Sequence, residues 1–185
     1  MRFAFSDEWE LTKLDRLMVF QNGLNAEPER YGSGIKYISV KDILNNYKIT
    51  YATVAGRVKA TPKEQIVFSV NYGDIVFQRS SEIPEDIGRS NVYLDDLPCI
   101  FGGFVIRGKK IGEYEPYFLK TELSSPLYRK SIIRLGAGAQ HFNIGQESLK
   151  KVHIKLPSMD EQMRIAHLFS NIDKRLIFQN KIIGE

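Results

Sequence analysis

The chain has 185 residues, 43% hydrophobic and 26% charged, with a net charge of +4. Those proportions fit one folded unit with a real core plus an appendage, and they exclude a disordered or collagen-like chain. No apolar run is long enough to cross a bilayer, and a lone cysteine, Cys99, excludes an internal disulfide or a cysteine-cluster metal site.

In chain order, Trp9, Leu14, Leu17 and Met18 fall near helical spacing and predict a short helix between Glu8 and Phe20. Lys36–Val40 alternates as a strand, and Asp42-Ile43-Leu44 reads as a helical turn. Gln65–Val70 predicts a strand, Asn71–Asp74 a turn and Asp74–Arg79 a second strand that enters the polar loop 80–89. Asn91–Leu94 and Gly103–Arg107 continue the strand pattern, the latter ending in a turn at Gly108-Lys109-Lys110. Tyr114–Leu127 has helical content and is followed by Ser131–Leu135 and a glycine-rich turn, Gly136–Gln140. Lys151–Leu156 alternates clearly.

The last segment is the most definite. Pro157 stops the strand, Ser158 stands at an N-cap, and Glu161 three residues on completes a capping-box pattern. Beyond it Ile165, Phe169, Ile172, Leu176 and Ile183 keep a heptad stripe broken only at Gln179. Such a stripe packs lengthwise against another helix, and no partner for it is evident in the chain itself. The fold class expected is α+β: a mixed, mostly antiparallel sheet domain over residues 1–157, then one long C-terminal helix over 158–185.

Charge is zoned. Residues 31–63 hold six Lys/Arg against one acid, residues 99–134 seven against three, and residues 64–98 two against seven acids. A basic face beside an acidic patch fits this, as does ordinary solvated surface. Asp7, Glu8 and Glu10 stand where a secretory signal would be apolar, so a cytoplasmic location is expected.

The chain carries few catalytic patterns. Gly103 to Lys109 spells most of a phosphate loop, but Lys110 replaces its hydroxyl residue and strand formers fill its middle. Gly136-Ala137-Gly138 lacks the rest of a dinucleotide fingerprint. His141, His153 and His167 have no ligand spacing. No acid is followed two positions later by lysine, as in the commonest metal-dependent nuclease core. Ser80-Ser81 has no glycine elbow, and there is no Asn-Pro-Pro-aromatic sequence. The chain is therefore read as non-catalytic, without a cofactor or metal of its own.

A set of blocks in order carries a resemblance. These are Arg2-Phe3 and Phe5 ahead of Asp7–Glu10 with Lys13-Leu14; Tyr37–Val40 with Asp42-Ile43; and Gly73–Phe77 with Arg79-Ser80. Then come Gly136, Gly138 and Gln140 followed by Ile144 and Leu149, and Ile154, Leu156-Pro157, Glu161-Gln162, Ile165 and Ile172-Asp173. Together they resemble one half of the specificity (S) subunit of a type I restriction-modification system, over nearly the whole chain. The resemblance implies a recognition domain that reads one half of a split double-stranded DNA target. It also implies a helix that pairs with a second half and docks methylation (M) and restriction (R) subunits. S-adenosylmethionine, ATP and magnesium would belong to those partners. Here there is one domain and one helix, so a homodimer or pairing with a second half-subunit is expected. Two alternatives stand beside this reading: a structural or inhibitory partner of methylation subunits that binds no DNA, and the recognition part of a larger fused enzyme.

Base reading needs side chains with paired donors or a donor and an acceptor. The candidates are Gln78, Arg79, Ser80, Ser81 and Arg89 in the loop region after the 74–79 strand. Arg107, Lys109 and Lys110 join them at the Gly-Lys-Lys turn, with Gln140, His141 and Asn143 beyond the glycine turn. Ile165, Phe169, Ile172, Leu176 and Ile183 are the candidate partner interface.

Overall fold

The computed structural model describes residues 9–136 and 142–183. Strand β1 (Glu10–Lys13) passes through a single helical turn, α1 (Leu14–Leu17), into β2 (Met18–Asn22). Next come β3 (Tyr31–Ile38), α2 (Val40–Asn45), β4 (Arg57–Val58), α3 (Pro62–Val67) and β5 (Ser69–Val70). The middle of the chain adds β6 (Ile75–Gln78), β7 (Ser80–Ser81), β8 (Ser90–Val92), β9 (Cys99–Phe101) and β10 (Val105–Lys110). Helices α4 (Pro116–Leu123) and α5 (Pro126–Leu135) lead to β11 (Phe142–Asn143), α6 (Gln146–Lys150), β12 (His153–Leu156) and the long α7 (Met159–Ile183). The α+β expectation holds: most pairings are antiparallel, with β3–β9 parallel.

The central sheet runs β2-β10-β6-β8, and a second runs β4-β3-β9-β5. All four residues of β6 are buried because apolar groups cover both faces. Ile75 and Phe77 point into a core with Leu14, Phe20, Phe118, Leu119, Ile132 and Ile154, while Val76 faces a core with Ile38, Ile49, Tyr93 and Phe101. Each such side chain contributes about 1.5–3 kcal/mol by leaving water.

Three local readings give way, two of them to tertiary pairing and one to a local helix cap. The segment 8–20 is strand–turn–strand over its described part: Glu10–Lys13 pairs with His153–Leu156, and Met18–Asn22 with Ile106–Lys110. Leu14, Leu17 and Met18 are buried as expected, but a one-turn bend between strands produces that spacing. Gln65–Val67 is helical rather than extended. Thr61 accepts from Glu64 N–H at 3.2 Å, and the Glu64 carboxylate accepts from Thr61 N–H at 2.8 Å, with Pro62 starting the helix. Gly108-Lys109-Lys110 is no turn but continuous β10. A Cβ on Gly108 would stand 2.2 Å from Met18 Sδ, so glycine there lets a neighbouring side chain cross the strand. Ser131–Leu135 completes helix α5, whose separation from α4 falls at Ser124-Ser125-Pro126.

Helix α7 does have a partner in its own chain along its first half. Gln162 is 3% exposed; its Oε1 accepts from Glu115 N–H at 3.0 Å and its Nε2 donates to the Pro157 carbonyl at 2.9 Å. Ala166 is buried beside it. Further along, the Tyr117 hydroxyl donates to the Asp173 carboxylate, which Lys120 approaches at 3.8 Å. The heptad stripe lies elsewhere on the helix. Ile165 packs partly against the core, whereas Phe169, Ile172 and Leu176 are 41, 42 and 43% exposed. The Ile183 side chain lies outside the described set. No helix among the described residues is long and apolar enough to cross a membrane.

Replacing Gln162 with Leu strips the partners from the Glu115 N–H and the Pro157 carbonyl at a buried junction. The expected loss is on the order of 2 kcal/mol, read as a lower urea midpoint at an unchanged slope. An unchanged midpoint would show that the helix root is held without the amide.

Candidate nucleic-acid interface

Register in the central sheet decides which side chains meet. Ile106 pairs with Asn22, Val105 with Gln78, and Phe77 with Ser90. Strand β2 therefore ends where β6 ends and where β10 and β8 begin, and the loops leaving that end are neighbours. Arg79 is fixed there by its backbone: its N–H donates to the Phe104 carbonyl at 2.9 Å, and its carbonyl accepts from Ile144 N–H at 3.0 Å. Its Nη1 donates to the Gly103 carbonyl at 3.2 Å, which orients the guanidinium and leaves other N–H donors for a ligand.

The two-residue strands β7 and β11 then bring Ser80 opposite Asn143, with Ser80 Oγ 2.6 Å from Asn143 Oδ1. Between these loops lies an open cleft of about 480 Å3 lined by Asn22, Arg79, Asn143, Gln146, Glu147 and Ser148 among others. Phe104 stands 69% exposed at the adjoining turn. This arrangement offers an arginine, two asparagines and a glutamine on a rigid sheet end. Those are the side chains whose geometry matches guanine and adenine edges.

The fold sorts the candidates. Arg79, Ser80 and Asn143 come together, while Ser81 turns its hydroxyl to accept from Ile83 N–H at 3.2 Å. Gln78 is 5% exposed and donates to the Ser80 carbonyl at 3.0 Å, so it supports the loop from below. Arg107 is corrected most sharply. It is 6% exposed, donates to the Ser69 carbonyl and the Gln21 side chain, and lies 5.3 Å over the Phe101 ring. Burial pushes its pKa down, and no part of this arrangement reaches outward. Lys110 is half-buried, donating to the Tyr114 carbonyl at 3.0 Å and covering that ring. Lys109 is exposed on β10, opposite Val19 of β2. Arg89 sits on a separate cleft, paired with Asp86 at 2.6 Å. Gln140 and His141 lie outside the described residues, as do the blocks at residues 2–8 and at Gly138.

Sequence reasoning missed Asn22, Gln146 and Ser148. Asn22 stood just past a segment read as helix, and only the β2–β10 register carries it to Arg79's side. The basic zones also prove less free than their counts implied: Lys36 donates to the Tyr51 and Val54 carbonyls, and Arg57 to that of Gly34. Among the described residues there is no group of three His, Cys, Asp or Glu that could hold a metal ion.

Known proteins extend the comparison. Over 184 residues the chain is 29% identical to a putative type I restriction enzyme MjaX specificity subunit of Methanocaldococcus jannaschii, covering 96% of this chain and 42% of that protein. The MjaVIII specificity subunit of the same organism is 24% identical over 181 residues, 95% of this chain and 42% of its own length. The fold superposes on the S subunit of a type I restriction-modification system from M. genitalium with a TM-score of 0.69 at 19% identity, covering 100% of this chain and 44% of that one. For the HsdS subunit from Thermoanaerobacter tengcongensis the TM-score is 0.64 at 17% identity, with 97% and 41% covered. The chain thus spans less than half the length of the relatives it matches. Residues 6–185 match the model of the type I restriction modification DNA specificity domain, and the chain belongs to that family.

Proposed function

We propose that this chain reads one half of a bipartite double-stranded DNA target and carries no catalytic centre of its own. The observation that carries the reading is the sheet end. In a chain matched along residues 6–185 by a DNA specificity domain, Arg79 and Asn143 line one polar cleft, and backbone pairing sets Ser80 opposite Asn143. Affinity would come from lysines and arginines on phosphates, and discrimination from those fixed side chains on base edges. Residues 1–157 form the reading unit in this proposal and 158–185 the spacer.

The spacer supplies the partners. Phe169, Ile172 and Leu176 leave an apolar stripe in water on a helix of 25 residues. That stripe suits a second helix of the same kind, from a second copy or another half-subunit. Two identical halves would specify a palindrome interrupted by a gap. Methylation and restriction subunits then dock on the paired helices and bring the chemistry, with S-adenosylmethionine, ATP and magnesium, in the cytoplasm. The exposed stripe equally favours a helix-mediated partner role without DNA, so the experiment must separate assembly from DNA binding.

Arg79→Ala should weaken binding to the cognate half-site by about 1–3 kcal/mol while leaving binding to random duplex nearly unchanged, measured by fluorescence anisotropy with the methylation subunits present. An equal loss on both duplexes would make Arg79 a phosphate contact instead. No duplex binding by the wild-type assembly would favour the structural role. By light scattering the chain should run at twice its monomer mass at micromolar concentration, and Ile172→Glu with Leu176→Glu should return it to one chain. A wild-type mass of one chain would count against self-pairing.

A further inference from the structure

A second cleft, of about 300 Å3, opens between β8, α2 and the α4–α5 junction, and neither the candidate interface nor the spacer uses it. Its walls carry Arg89, Lys120 and Arg129 together with Ser90, Asn91 and Ser124, and no carboxylate is among its lining residues. Two of these cations have a carboxylate beside them, Asp86 at 2.6 Å from Arg89 and Asp173 at 3.8 Å from Lys120, which leaves Arg129 without an ion pair among the described residues. Arg129 is locked in place by donating through Nη2 to the Glu85 and Ile87 carbonyls, both at 2.8 Å. Its Nη1 and the Ser90 Oγ are buried with no hydrogen-bond partner among the described residues. Asn91 is held by the Ile43 and Asn46 carbonyls, so the floor is rigid.

Three cationic residues line one recess, and two buried hydrogen-bonding groups on its lining residues, Arg129 Nη1 and Ser90 Oγ, lack partners. Leaving a buried donor unpaired disfavours the free protein, and Arg89 and Arg129 repel each other. A multivalent oxyanion relieves both. A tetrahedral phosphate accepts in several directions at once, as the guanidinium fork requires. We infer that this cleft binds a phosphate group, with Arg89 as the mobile clamp, Arg129 and Lys120 as the fixed charge, and Ser90 as a hydroxyl donor. Two sources supply such a group, a diester of the DNA backbone and a free phosphate or nucleotide. Assigning it to the backbone rests on the DNA reading above, whereas the anion site itself does not.

The test uses the full chain and three variants. Arg89→Gln removes an exposed cation whose only ion pair is a surface one, so the fold should survive. Ser90→Ala removes only the unpaired hydroxyl, and Lys130→Gln removes an equal charge from the exposed side of α5, outside the cleft. Millimolar inorganic phosphate, compared with chloride at matched ionic strength, should raise the melting temperature of wild type and of Lys130→Gln. The rise should vanish in Arg89→Gln and shrink in Ser90→Ala. If the phosphate belongs to DNA, Arg89→Gln should also lower the slope of log K against log salt by about 1 on random duplex. Loss of the phosphate effect with an unchanged slope, or with no duplex binding by wild type, supports the site with a free phosphate as its ligand. The inference is overturned if phosphate acts on wild type no differently from chloride and Arg89→Gln changes the slope no more than Lys130→Gln.

Discussion

One buried amide joins the two parts of this molecule. Gln162 lies in the first turn of α7, yet both ends of its side chain bond backbone groups of other segments, Pro157 behind it and Glu115 at the start of α4. A glutamine buried this deeply is tolerated because each polar atom is satisfied, and that requirement fixes the helix in angle and in rotation. Tyr117 and Lys120 meet Asp173 three turns later, giving α4 and α7 a second attachment on the same face. A spacer can report the position of a recognition surface only if the joint between them is stiff, and this joint is built from hydrogen bonds with defined direction rather than from apolar contact alone.

The recognition end obeys the same rule by other means. Strand β6 is buried on both faces, so its exit at Gln78 is set by two cores at once. Arg79 follows immediately and has its N–H and Nη1 committed to the Gly103-Phe104 turn and its carbonyl to Ile144. Gln78 beneath it braces the Ser80 carbonyl. A side chain preorganised in this way loses little conformational freedom on meeting a ligand, which favours discrimination over mere attraction. Arg107 is the counterexample within the same sheet. Its charge is spent inside, on a carbonyl, an amide and an aromatic face, and it holds β5, β2 and β10 together.

Much of the frame was legible because its signals are local. The Pro157 stop, the Ser158 cap and the heptad stripe locate β12 and α7 from a few neighbouring residues, and Asn71–Asp74 reads as the turn it is, with Gly73 at φ +88°. Two of the failures have one cause, which is that the deciding partner lies far along the chain. Glu10–Lys13 becomes a strand because residues 153–156 offer it an edge, and Gly108 stays extended because Met18 needs the space above it. Thr61-Pro62 with Glu64 was a local helix signal, outweighed in the reading by the β-branched run after it. For the site, sequence named Arg79, Ser80 and Asn143, which the fold brings together, but it could not separate Arg79 from Arg107. Both are arginines beside strands, and only burial tells them apart.

The placement of the two faces of α7 has a geometric consequence. At about 100° per residue, the docked positions Gln162, Ala166 and Asp173 and the exposed positions Phe169, Ile172 and Leu176 lie roughly a quarter turn apart around the helix. The apolar stripe is therefore not the back of the docked face; it flanks it, and a second helix laid along the stripe would run beside the recognition domain instead of pointing away from it. A helix of 25 residues is about 37 Å long, close to one turn of B-DNA at roughly 34–36 Å. In the pairing proposed here, two such helices running antiparallel would set two recognition domains about that far apart and on the same side of a duplex. In that pairing the docked face would fix each domain's angle to the helix and the stripe would fix the spacing. Altering either one would change which two half-sites can be read at once without touching a residue that meets a base.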